Sequence, residues 1–136
     1  MNRIAYPAEE IIFTADCFLE RTSLRFDDLP EYPVIFYEPL SGRFFQSTAT
    51  RVLMAEYYFN RDFVLGMSIT RNDWFQYLGL PKLAGGDETG WDACMTGLDG
   101  IYWIDFSHIK VGTGKDTYYI IDVQYPPMSF AMMENC

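Results

Sequence analysis

The single histidine, His108, is the obvious place to look for chemistry, because imidazole is the side chain that titrates near neutral pH. General acid–base work also needs a partner within hydrogen-bond reach. The nearest acid in sequence is Asp105, and on a regular strand its parity is opposite to that of His108, so the two point to opposite faces. No serine sits in the strained G-x-S-x-G turn that marks an activated nucleophile. His108 therefore reads as a strand-end or core histidine, and no catalytic residue is assigned. Asp87, Glu88, Asp92 and Asp99 surround the Gly85-Gly86 turn. Calcium takes about six or more oxygens, and the spacing here is not that of an EF-hand loop. These acids read as solvated turn residues, with Asp87 and Glu88 as candidates for contact with a basic partner. Lys82 with Gly85-Gly86, and Gly112-Thr113-Gly114-Lys115, both lack the spacing of a phosphate-cradling loop. Three cysteines, Cys17, Cys94 and Cys136, are odd in number and far apart. They fit neither a disulfide framework nor a zinc motif and read as reduced thiols. No cofactor and no metal is expected.

Composition narrows the classes further. The 136 residues fit one domain. At 49% apolar and 18% aromatic, the chain can build a core and is not disordered. Its formal charge of −9 argues against direct binding to DNA, RNA or an anionic membrane, all polyanions. The same charge permits a basic protein partner. No stretch is long and apolar enough for a membrane span. The N-terminal run MNRIAYPAEEIIF carries acids and is not a signal peptide, so a cytoplasmic location is expected.

Periodicity then supplies the elements that must position these residues. Residues 7–22 read best as an amphipathic helix, with Ile11, Ile12, Ala15, Phe18 and Leu19 on one face; a strand over Ile11 to Phe13 is the alternative. Pro30 and Pro33 make residues 23–33 a loop. Val34 to Tyr37 and Arg43 to Gln46 form a hairpin around Pro39-Leu40-Ser41-Gly42. The helix over residues 48–65 has an apolar stripe so wide that it predicts burial on more than one side. Within it, Arg61 is placed to pair with an acid near Asp62 or at Asp73, or to serve as an exposed binding residue. Thr70 or Asn72 caps a short helix that Gly79 and Pro81 close. Residues 101–109 and 117–125 are the two best strands, and both carry apolar residues on both faces. Trp91 and Trp103 are expected to be mostly buried. The result is an α+β fold: a single small domain with an antiparallel sheet packed by two or three helices.

The order of motifs also carries a resemblance. Asn60-Arg61 on a helix precedes Trp74-Phe75 and Leu78-Gly79-Leu80, then Gly90-Trp91, then Ile104-Asp105-Phe106 on a strand. This pattern resembles a module in uncharacterised phage and prophage proteins of Gram-positive bacteria, over about residues 48–125. The resemblance implies a phage or prophage source and no assigned activity. Gly79 is expected as a helix stop, Gly90 as a turn and Trp91 as a core plug. In some of those proteins the module follows a membrane-associated segment, which this sequence lacks.

With no catalytic constellation, the surplus of aromatics on the last two strands points to protein–protein contact. Tyr102, Trp103, Tyr118 and Tyr119 are the candidate interface residues, with Asp87 and Glu88. The expected function is that of a small acidic phage accessory protein binding a protein, which the net charge permits to be basic, or a second copy of itself. Two alternatives stand beside it: an acidic, DNA-mimicking inhibitor of a host defence nuclease of the anti-CRISPR kind, and a minor virion or tail assembly component.

Overall fold

The computed structural model describes residues 10–14, 32–66, 68–94 and 103–132. The first described element is strand β1, Glu10–Thr14, which pairs antiparallel with β6, Phe106–Val111. This corrects the helix expected across residues 7–22. The apolar run Ile11-Ile12-Phe13 satisfies a strand as well as a helix turn, and a sheet edge offered it ladder partners at Ile109 and His108. The remainder of residues 7–22 lies outside the described residues.

The hairpin is where the sequence puts it. Strands β2, Val34–Glu38, and β3, Arg43–Ser47, pair in unbroken antiparallel register around the Pro39–Gly42 turn. Glu38 shapes that turn by accepting the N–H of Leu40 at 3.1 Å and of Ser41 at 2.7 Å. Helix α1, Ala49–Gly66, follows directly. Strand β4, Ser68–Thr70, leads into helix α2, Arg71–Tyr77. Thr70 and Asp73 form a reciprocal capping box at the start of α2. Gly79, with φ of 84°, supplies the left-handed residue that stops it.

Two sheets result. The larger has the order β1-β6-β7-β2-β3, where β7 is Tyr118–Val123. All its pairings are antiparallel except β2 with β7, which run parallel. The smaller joins β4 and β5, Thr89–Asp92, to the two-residue strand β8, Met128–Ser129. The fold is thus α+β, with α1 and α2 the α-helices among the described residues.

The core lies between α1, α2 and one face of the large sheet. Phe59 is its hub, meeting Trp74, Trp91 and Phe106 edge-on with ring centroids 5.6, 4.9 and 5.2 Å away. Such edge-to-face contacts add to the apolar area these rings bury. Trp91 is fully buried and its indole N–H donates to the Tyr125 carbonyl at 2.5 Å. Gly90 does not make a turn, as expected, but sits buried inside β5. A Cβ there would lie 2.1 Å from the Ile69 carbonyl oxygen and 2.9 Å from the Phe130 ring. The role of this glycine is close approach between strands.

Candidate protein-binding surface

A helix in a soluble fold normally turns its polar face outward. Helix α1 departs from this at its centre. Its inner face buries Val52, Ala55, Phe59 and Phe63 but also the polar pair Glu56 and Asn60. Its outer face exposes Met54, Tyr57, Tyr58, Val64 and Leu65. Met54, Tyr57, Tyr58, Arg61 and Leu65 follow i, i+3, i+4, i+7 and i+11 spacing, so they form one continuous stripe. Tyr57 is 48% exposed and Leu65 77%. The sequence expectation of burial on more than one side is therefore corrected: α1 buries one side only. The width of its apolar stripe reflects two stripes, one facing the core and one facing outward.

The buried polar residues explain why the helix sits this way round. The carboxamide of Asn60 accepts the Ile104 N–H at 2.6 Å and donates to the Ile104 carbonyl at 2.9 Å. It thereby stands in for a strand partner at Ile104. This is also why the strand expected from residue 101 begins only at Phe106: Ile104 spends its backbone groups on a side chain. Asn72 on α2 repeats the device at Leu83, accepting its N–H at 2.8 Å and donating to its carbonyl at 3.0 Å. A buried backbone pair left without partners would be costly, so both amides hold the loops to the helices.

Glu56 meets His108, and both are fully buried. The partner for His108 thus comes from α1 and not from Asp105. Sequence parity located the face of His108, but the spacing of Glu56 offered no signal that it lay opposite. Burial holds the Glu56 carboxyl above the usual carboxylate range, and His108 partly offsets that. Oε1 of Glu56 has no hydrogen-bond partner among the described residues. The pair is sealed from solvent, so a substrate has no route to it in this conformation. Among the described residues no three His, Cys, Asp or Glu side chains group as metal ligands.

The outer stripe is bordered by charge. The Nε of Arg61 donates to Asp62 at 2.9 Å, and its guanidinium lies over the Tyr58 ring, 4.9 Å from the centroid. Arg61 thus pairs with Asp62 itself and not with one of its neighbours or Asp73. Tyr77 of α2 donates to the other Asp62 oxygen at 2.5 Å. Arg61 and Tyr77 together hold the Asp62 carboxyl below its usual range.

Of the interface residues named from sequence, those among the described residues do not share one surface. Trp103 is partly buried and packs beside Tyr57, ring centroids 6.4 Å apart, extending the α1 stripe. Tyr118 lies on the opposite side of the large sheet, edge-on to Phe44 at 5.2 Å. Tyr119 faces the helix side, 5.8 Å from Phe36. Asp87 and Glu88 are exposed in the turn before β5, where Asp87 accepts the Asn72 amide at 3.1 Å. Tyr102 lies outside the described residues, as does Asp99. Sequence reasoning missed Met54, Tyr57, Tyr58 and Leu65 as surface residues; they lie opposite the polar Glu56 and Asn60, a pattern that reads as core, and the sequence carried no sign that the helix sits the other way round. Cys94, expected as a free thiol, is disulfide-bonded. Spacing along a chain cannot show which distant cysteines meet.

The fold and the outer face of α1 together define a small α+β protein with an exposed aromatic helix face. The sequence pattern of a family of unknown function, DUF6353, matches residues 13–132, and the chain belongs to that family. No curated protein and no solved structure matches it. Among the described residues, no helix is long and apolar enough to cross a membrane.

Proposed function

We propose that the chain acts by protein–protein contact and that the outer face of α1 is its contact surface. One observation carries this reading: α1 buries Glu56 and Asn60 while exposing Met54, Tyr57, Tyr58 and Leu65. Five of the eight large hydrophobic residues exposed among the described residues lie on this single helix. Exposed apolar patches rimmed by charge mark interaction sites. Tyrosine and arginine are also the residues most enriched where binding energy concentrates. The patch matches the helix-face mode of recognition, read out at i, i+3, i+4 and i+7.

Net charge alone points to a basic partner. The local charge points elsewhere, because the exposed cations Arg51 and Arg61 border the stripe. The partner expected here is apolar at its centre and neutral or acidic at its rim. Three of the acids, Glu38, Glu56 and Asp122, are buried. They are unavailable to a DNA-mimicking surface, which leaves the nuclease-inhibitor alternative with less support. The motif resemblance favours an accessory role in a phage or prophage. A cytoplasmic setting suits the sequence, whereas the Cys94 disulfide suits an oxidising one.

The test is affinity capture from host lysate with the wild type and with Tyr57→Glu/Leu65→Glu. Both side chains are exposed, so the double variant should keep its circular dichroism and melting temperature. Loss of a specific captured protein in the variant supports the surface. An identical captured set from both proteins assigns the contact elsewhere.

A further inference from the structure

A second surface on the molecule is carried by backbone and not by a helix face. Strand β3 is the last strand of the large sheet on its side, and among the described residues no strand lies beyond it. Folded proteins normally guard such an edge with charge, proline, a bulge or a covering element. The sequence of β3, RFFQS, contains no proline, and its ladder to β2 runs without a bulge from Val34–Ser47 to Glu38–Arg43. Its one charge, Arg43, is occupied on the helix side of the sheet. There Nε donates to Ser41 at 2.9 Å, one terminal nitrogen donates to the Pro81 carbonyl at 2.8 Å, and the guanidinium lies 4.8 Å from the Phe75 ring centroid. The side chains left exposed are Phe44, at 58%, and Gln46, neither of them charged. The sheet surface behind them is apolar as well, with Ile35 exposed and Tyr37 packed on Phe44 at 4.6 Å.

We infer that β3 pairs antiparallel with β3 of a second copy, so that one sheet runs through two protomers. The open N–H and C=O groups of an edge are complementary to another extended strand. Two identical edges related by a twofold axis must meet antiparallel, which makes this edge its own complement. Charge permits the pairing: each chain carries −9, yet neither register brings two charged residues opposite one another, because Arg43 meets Ser47 or Phe45 of the second copy. The register is restricted too, because opposed side chains in a ladder lie on the same face. A twofold axis at Phe45 sets Phe44 opposite Gln46 of the second copy. An axis at Phe44 sets the two Phe44 rings together. Either register joins the two apolar sheet surfaces into one strip and keeps both α1 helices on the far side. The dimer would then present two outer α1 faces on one side.

Sedimentation velocity on the full chain over a concentration series tests this. The expected mass moves from that of one chain to that of two. Phe44→Lys/Gln46→Lys places like charges opposite each other at positions whose side chains are exposed in the monomer. It should shift the monomer–dimer midpoint by about tenfold or more while circular dichroism stays unchanged. If the double variant does not fold, Gln46→Lys alone should give the same direction of shift. Tyr57→Glu/Leu65→Glu should leave the dimer intact. A wild type that stays monomeric throughout overturns the inference, as does a dimer that survives the lysines. A dimer lost in the α1 variant but kept in the β3 variant overturns it also, and assigns self-association to α1.

Discussion

Two asparagines do work in this protein that usually belongs to strands. Asn60 and Asn72 each serve one loop residue at both its N–H and its carbonyl. Asn60→Ala should remove both bonds to Ile104 and leave its backbone pair buried, at a cost of about 2–4 kcal/mol, since each unsatisfied buried group costs roughly 1–3. Asn60→Asp should cost more than Asn60→Ala, because it keeps an acceptor, loses the donor and adds a buried charge. Urea denaturation of the three proteins would order them; an Asp variant as stable as wild type would show that the amide is not the link. The sequence placed Asn60 correctly on a helix, but nothing in its neighbours said that it faced inward. A polar residue at a core position can be read from sequence only once its target is known, and Ile104 lies far along the chain.

At the scale of elements, what sequence reveals depends on how local the cause is. The β2–β3 hairpin, the α2 cap at Thr70 and the stop at Gly79 rest on residues within a few positions of each other, and all three were legible. The strand at Glu10–Thr14 was legible only as the alternative over Ile11 to Phe13, because its partner β6 lies far along the chain. The reading of α1 failed for a related reason. Both of its stripes are apolar enough to be core, and only the packing tells which one is. Gly90 shows the same dependence on distant neighbours. Gly90→Ala should drive a methyl group into the Ile69 carbonyl and the Phe130 ring, forcing β4 and β8 away from β5. The expected cost is about 1–3 kcal/mol, as for other overpacked sites. Hydrogen exchange should show faster opening at Ile69 and Trp91 than at residues of the large sheet. Uniform loss of protection across both sheets would contradict this.

For the molecule as a whole, pH should act through its buried carboxyls. Burial raises Glu38 above the usual carboxylate range despite the Ser41, Leu40 and Trp74 donors, and burial raises Glu56 despite His108. A raised acid binds its proton more tightly when folded, so its contribution is fully present below the unfolded pKa and is lost as pH rises through the folded one. Stability should therefore fall from about pH 4.5 towards neutrality. Repulsion among surface acids gives the same trend, but salt screens that part and leaves the buried part. Urea midpoints measured across this range in high salt should still decline, and Glu38→Gln should flatten the slope; a flat profile in the wild type would refute the assignment. Asp62, lowered by Arg61 and Tyr77, acts oppositely and only at lower pH. One feature of the large sheet reaches beyond equilibrium. Its parallel seam joins Phe36 to Tyr119 and Tyr37 to Ile120, bringing β2 against a strand made much later in synthesis. While the chain is emerging from a ribosome, β2 has only β3 beside it, and its other edge waits until β7 has been made. During that interval the hairpin is an unfinished sheet with aromatic surfaces, in a topology whose distant pairings form slowly. Chains truncated before β7 should accumulate as aggregates, while the complete chain closes its own seam.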